Sequence, residues 1–72
     1  MEQQVEVAGM TCEHCVHAVT EELTALDGVS DVHIELISGG NSPVTILSED
    51  LVDPDLIAAA VDEAGYQVVS GD

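Results

Sequence analysis

The sequence predicts an α+β sandwich of four strands and two helices, running strand, helix, strand, strand, helix, strand, and three observations carry that prediction. Apolar residues alternate with polar ones at Val5 and Val7 and again at Val32, Ile34 and Leu36. They recur at helical spacing from Val16 to Leu26 and from Leu56 to Ala64. The two halves also echo each other: Val5-Glu6-Val7 corresponds to Val44-Thr45-Ile46, and Gly28-Val29-Ser30-Asp31-Val32 to Gly65-Tyr66-Gln67-Val68-Val69.

In the first strand Val5 and Val7 face inward between Gln4 and Glu6. From Cys15 the period changes, and Val16, Val19, Leu23 and Leu26 form one apolar stripe with Glu21 and Glu22 on the opposite side. Asp27-Gly28 is the expected end of this helix, since glycine suits the left-handed position that closes helices. The second strand puts Val32, Ile34 and Leu36 inside and Asp31, His33 and Glu35 outside. Gly39-Gly40-Asn41-Ser42 reads as a hairpin loop, with Pro43 tolerated at the start of the strand that carries Val44 and Ile46. Asp53 caps the second helix and Pro54 occupies its first turn, where a missing N–H costs nothing. Its stripe is Leu56, Ile57, Ala60, Val61 and Ala64; Gly65 ends it, and Tyr66 to Val69 form the last strand.

Two strand–helix–strand units with right-handed crossovers, within one domain spanning residues 1–72, give a ferredoxin-like βαββαβ sandwich: a four-stranded antiparallel sheet with both helices on one face. Gln4, Glu6, His33, Glu35 and Thr45 make the other face polar enough to meet water. The first strand–helix loop then lies at one end of the sandwich, close to the loop before Tyr66.

Fifteen Asp and Glu stand against no Lys and no Arg, a formal net charge of −15. Binding to nucleic acid or to an anionic membrane requires phosphates to be neutralised, so this surface excludes both. Asp27, and likewise Asp62 and Glu63, sit where helix ends favour bases, at about 0.3–1 kcal/mol per end at low salt. A salty cytoplasm or a basic partner would each account for such a surface. No apolar run approaches the ~18 residues needed to cross a bilayer. Met1-Glu2-Gln3-Gln4 has neither the basic nor the apolar region of a signal peptide, so a cytoplasmic setting with reduced thiols is expected. Met1 at the start and Ser70-Gly71-Asp72 at the finish read as the ends of a complete small protein.

The only two cysteines lie three apart in Gly9-Met10-Thr11-Cys12-Glu13-His14-Cys15, where strand gives way to helix. A bridge between them would close too small a loop to restrain the unfolded chain, so they are there for chemistry. A helix N-terminus presents unpaired N–H groups and about half a positive charge, both of which favour a thiolate. A thioredoxin-type redox pair wants a longer domain and its own surroundings, and an accidental core pair does not suit an exposed loop. The pair reads as a soft-metal site.

Gly-Met-Thr-Cys-x-x-Cys after a first strand, in a chain of this length, resembles the heavy-metal-associated domain of copper chaperones and copper-transporting P-type ATPases. The Gly28-Val29 helix exit and Ala64-Gly65-Tyr66 extend the resemblance over essentially the whole chain. Two thiolates satisfy near-linear Cu(I), whereas Zn(II) usually takes four ligands. Relatives that carry Zn, Cd or Pb often place an acidic residue before the first cysteine; Thr11 stands there in this chain. The ligands are therefore read as Cys12 and Cys15. By resemblance Met10 supports the loop from below instead of ligating. Thr11 is a cap or a loop hydrogen-bonding residue. His14, between the thiols, tunes them or offers a third ligand, while His17 lies on the far side of the helix and His33 on a solvated strand. Tyr66 occupies the position where bacterial chaperones resembling this one carry a tyrosine beside the metal loop.

The resemblance implies a soluble, non-enzymatic Cu(I) metallochaperone that delivers copper by thiolate exchange to the soluble domain of a copper-transporting P-type ATPase. Given this chain's charge, that acceptor should carry basic residues around its own cysteines. A metal-bridged homodimer is a further expectation. The alternatives are a metal-binding domain excised from such an ATPase and a carrier of Hg(II) or Zn(II).

Overall fold

The structure, a computed structural model, describes residues 1–71; Asp72, part of the expected chain finish, lies outside the described residues. The elements are β1 (Glu2–Ala8), α1 (Glu13–Thr24), β2 (Val29–Ile34), β3 (Asn41–Ser48), α2 (Pro54–Glu63) and β4 (Gln67–Gly71). One antiparallel sheet has the strand order β2-β3-β1-β4, the ferredoxin-like arrangement the sequence predicts. Val5 and Val7 of β1 and Val44 and Ile46 of β3 turn the same way, because Val5 pairs with Val44 and Gln3 with Ile46. Val19 and Leu23 of α1 and Ile57, Ala60 and Val61 of α2 close over them, forming a single core. Each valine, leucine and isoleucine among them contributes about 1.5–3 kcal/mol when fully buried. On the other sheet face Gln4, His33 and Glu35 are exposed, and Glu6 and Thr45 are half-buried.

Several boundaries fall elsewhere than expected. Helix α1 ends at Thr24, not at Asp27-Gly28. The Thr24 hydroxyl donates to the carbonyls of Thr20 and Glu21, and the Leu26 N–H reaches back only to Leu23 at 3.1 Å. The tightened turn keeps Leu26 against the core while the chain departs for β2. Strand β3 begins at Asn41, two residues before Pro43, because β1 runs on to Ala8 and pairs with Asn41 and Ser42. Pro43 therefore lies inside a central strand. Its carbonyl accepts from the Glu35 N–H at 3.0 Å, so its missing N–H falls on the same side, just where the β2 ladder stops at Ile34.

Leu56 is a correction to the α2 stripe: it is 52% exposed. The seam that meets the sheet and α1 runs through Ile57, Ala60 and Val61, and Leu56 lies a helical step to its side. Strand β4 starts at Gln67, leaving Tyr66 outside the ladder. A register shift between Glu6 and Val7 lets β4 slip past β1, and Val69 is left exposed.

Gln3 extends the inward alternation of β1 with a polar side chain and is buried. Its Nε2 donates to the Val52 carbonyl at 3.0 Å, and its Oε1 accepts from the Val52 N–H at 2.7 Å. The loop before α2 is thereby bolted to the sheet. Replacing Gln3 with Ala strands both buried backbone groups of Val52, so urea melts should show a loss of about 2 kcal/mol or more; an unchanged midpoint would refute the bolt.

Among the described residues one contact joins a side-chain base to a carboxylate, His17 Nδ1 with Glu21 Oε1 at 3.5 Å, an ion pair only when the imidazole is protonated, and both partners are exposed. The carboxylates are otherwise uncompensated, and they repel over distances comparable with the ~8–10 Å screening length of ordinary buffers. Added salt relieves the folded state more than the expanded one, so the melting temperature should rise with NaCl. Calorimetry from low to molar salt checks this, and a flat response would contradict it.

Candidate metal centre

Strand β1 ends at Ala8, and Gly9, at φ +94°, turns the chain out of the sheet in a backbone conformation that L side chains rarely adopt. Met10 then drops into the core with none of its surface exposed. After that anchor Thr11 and Cys12 return to solvent. Cys12, not Thr11, is the residue that caps α1: its backbone is extended, and its carbonyl accepts from Cys15 N at 3.1 Å and Val16 N at 3.2 Å. Thr11 is the loop hydrogen-bonding residue instead, with its Oγ1 at 3.9 Å from Cys15 Sγ. Cys12 and Cys15 are both free, with their sulfurs 3.5 Å apart at the exposed end of the sandwich.

Dipoles converge on Cys15. Its thiol is lowered from an ordinary 9.0 to about 6, first by the Thr11 backbone N–H, then by the Tyr66 hydroxyl, then by the Cys12 backbone N–H and the Cys12 thiol, with partial burial opposing them. Tyr66 is raised above its ordinary value chiefly by the same bond to Cys15, so its hydroxyl stays protonated and donates.

The exit of α2 brings Tyr66 there. Gly65, at φ +95°, lets Gly65 N reach the Asp62 carbonyl at 2.9 Å and Tyr66 N reach Val61 at 3.1 Å, the paired bonds of a Schellman closure. The chain swings off the helix toward β1, and the Tyr66 ring comes to rest against Gly9, with Cδ1 only 3.6 Å from where a Cβ would stand.

His14 is exposed beside the pair, His17 points to Glu21, and His33 lies exposed on the outer sheet face opposite Thr45. Among the described residues no cluster of three or more His, Cys, Asp or Glu side chains is positioned to hold one ion. The two sulfurs are thus the donor set the fold brings together. Sequence reasoning missed the loop between β2 and β3. Gly39 N donates to the Met10 carbonyl at 3.3 Å, and Ser38 Oγ donates to the Thr11 carbonyl at 3.2 Å. Small polar residues in a hairpin loop carry no mark of where the loop will land.

Because the folded value for Cys15 lies below the ordinary one, its ionisation favours the folded state. That contribution is complete above about pH 9 and disappears as pH falls through about 6. The metal-free protein should therefore gain stability from pH 6 to pH 9, and the gain should shrink in Cys15→Ser. Alkylation mapped by mass spectrometry should show Cys15 reacting at pH 7 nearly as fast as at pH 9. Tyr66→Phe removes one donor, so modification at pH 6 should slow; an unaltered profile would mean that the hydroxyl does not act on the sulfur.

The Heavy-metal-associated domain model matches residues 4–67. The chain is 44% identical over 69 residues to the copper chaperone CopZ of Bacillus subtilis, covering 94% of this chain and 97% of that one. It is 32% identical over 69 residues to a probable copper-exporting P-type ATPase of Archaeoglobus fulgidus, covering 96% of this chain but 8% of the ATPase. A solved CopZ metallochaperone superposes with a TM-score of 0.83 at 31% identity, over 96% of this chain and the whole of the other. A two-sulfur loop at a helix N-terminus, in a fold and a sequence shared along nearly the full length, follows from one ancestry: the chain belongs to the heavy-metal-associated domain family.

Proposed function

We propose that residues 1–72 act as one soluble carrier domain that holds a single Cu(I) between Cys12 and Cys15 and passes it by thiolate exchange to the soluble domain of a copper-transporting P-type ATPase. The observation that carries this is the pair of free sulfurs 3.5 Å apart at an exposed helix N-terminus, with no third His, Cys, Asp or Glu grouped with them among the described residues. Two thiolates are enough for soft Cu(I) and too few for Zn(II). The names of the B. subtilis chaperone and the A. fulgidus ATPase support copper as the cargo and an ATPase as its destination.

Exposure lets an incoming thiolate enter while both resident sulfurs still hold the ion, so copper moves between proteins without becoming free. Copper entry releases the thiol protons to solvent and transfer exchanges one copper–sulfur bond for another, so no catalytic step is needed. Met10 keeps the loop seated, Thr11 shapes it, and Tyr66 steadies the thiolate of Cys15. His14, beside the pair in solvent, modulates it from outside.

No helix among the described residues is long and apolar enough to cross a membrane. The setting proposed is the cytoplasm, without nucleic acid or direct membrane contact, in keeping with a chain that has fifteen carboxylates and no Lys or Arg. The same charge selects an acceptor with basic residues around its cysteines. A metal-bridged homodimer, two loops sharing copper through four thiolates, is the minor state. A role as the metal-binding segment of a larger ATPase is the second reading, favoured by the match to a short stretch of the archaeal pump.

Titration against a competing Cu(I) chelator should give one ion per monomer, bound far more tightly than Zn(II). Cys12→Ser or Cys15→Ser should weaken binding by orders of magnitude with the fold intact. Strong residual binding in the double variant would overturn the assignment. Transfer to a basic acceptor domain should slow as ionic strength rises, and a salt-independent rate would remove the electrostatic part. Sedimentation should show dimer only with copper, and more of it at high salt.

A further inference from the structure

Thr11 Oγ1 and Cys12 Sγ lie 3.9 and 3.5 Å from the Cys15 sulfur, and the thiol is lowered by the backbone N–H groups of the same two residues. These belong to the Met10–Thr11 and Thr11–Cys12 peptide groups, and in a trans peptide the carbonyl points opposite to the N–H. The carbonyls on the far side are Met10 O and Thr11 O. Both are gripped by the β2–β3 loop: Gly39 N–H holds the first at 3.3 Å and Ser38 Oγ–H the second at 3.2 Å. Each of these two peptide groups is therefore pinned at its carbonyl.

The loop that pins them is itself closed. Ser42, fully buried at the start of β3, accepts from the Ile37 N–H at 2.9 Å and donates to the Ile37 carbonyl at 3.4 Å. Gly40 N adds a bond to the same carbonyl at 3.0 Å. A bond to a carbonyl also strengthens its own peptide N–H as a donor, so the relay is electrical as well as steric.

We propose that the β2–β3 loop is a positioning strap for the metal loop, in which Ser38 and Gly39 fix the two peptide groups that lead into Cys12 before any ion arrives. This rests on the reading of Cys12 and Cys15 as the Cu(I) ligands. In that setting the strap limits the rearrangement that copper entry demands, and a slack strap weakens retention. Ser38 is exposed and outside the core, so it is the residue to change.

The test uses the full chain, first without metal. In Ser38→Ala, the Thr11 and Cys12 amide proton resonances should shift upfield and exchange with solvent about two- to tenfold faster, the range set by one neutral hydrogen bond. Amides of the core strands should stay put. Ser38→Thr keeps the hydroxyl and should restore both signals. With Cu(I), Ser38→Ala should raise the dissociation constant by the same two- to tenfold, and Ser38→Thr should not. Unchanged Thr11 and Cys12 amides in metal-free Ser38→Ala would overturn the strap, as would altered amides with unchanged copper affinity. Wild-type protein that fails to bind Cu(I) would instead refute the ligand assignment, leaving the amide result to report on the strap alone.

Discussion

A methionine wholly withdrawn from water, two residues before an exposed cysteine, sets the terms for this molecule. Met10 must stay in the core because ejecting it would forfeit its own burial and leave a hole among close-packed neighbours. That requirement fixes where the chain leaves the sheet and where α1 begins, and it leaves Thr11 and Cys12 no course except outward. An accessible pair of sulfurs on a rigid base is the consequence. The loop stays open to solvent without being slack, because its anchor and its reactive end are adjacent in the chain but on opposite sides of the protein surface.

The chemistry of the pair follows from what this sequence lacks. With no lysine or arginine, no permanently charged base is present to steady a thiolate. Dipoles do it instead: two backbone N–H groups, a helix N-terminus and a phenolic hydroxyl gather on Cys15. Such donors are held by the bonds of the metal loop to Ser38 and Gly39 and by the glycine closure of α2, and they carry no full charge to pair with the carboxylates nearby. The acidic surface can then be set by the surroundings or by a partner without disturbing the site, since no acid takes part in it.

Three separate segments meet at this end of the sandwich, and each arrives by ordinary local means. The N-terminus of α1 brings the cysteines, the glycine closure of α2 brings Tyr66, and the buried Ser42 ties down the loop that brings Ser38 and Gly39. Successive elements reverse direction, so these three turns fall at the same pole. The opposite pole carries the exposed Leu51 and Leu56 among Asp27, Asp50 and Asp53.

The element order, the inward valines of β1 and β3, the Asp53 cap and the thiol pair were all legible in the sequence, because each is written in residues within a turn or two of one another. Period, cap and spacing are local quantities. The end of α1, the exposure of Leu56 and the placing of Pro43 were not, since each depends on how far a neighbouring element reaches. Gln3 was hidden for the same reason: its partner, Val52, is 49 residues away. The sequence by itself determined that two thiols stand three residues apart at a helix start, and on what kind of fold. Tertiary structure alone decided which groups stand behind those atoms, because Tyr66, Ser38 and Gly39 come to Cys15, Thr11 and Met10 only when a sheet paired over long separations brings remote turns to one pole.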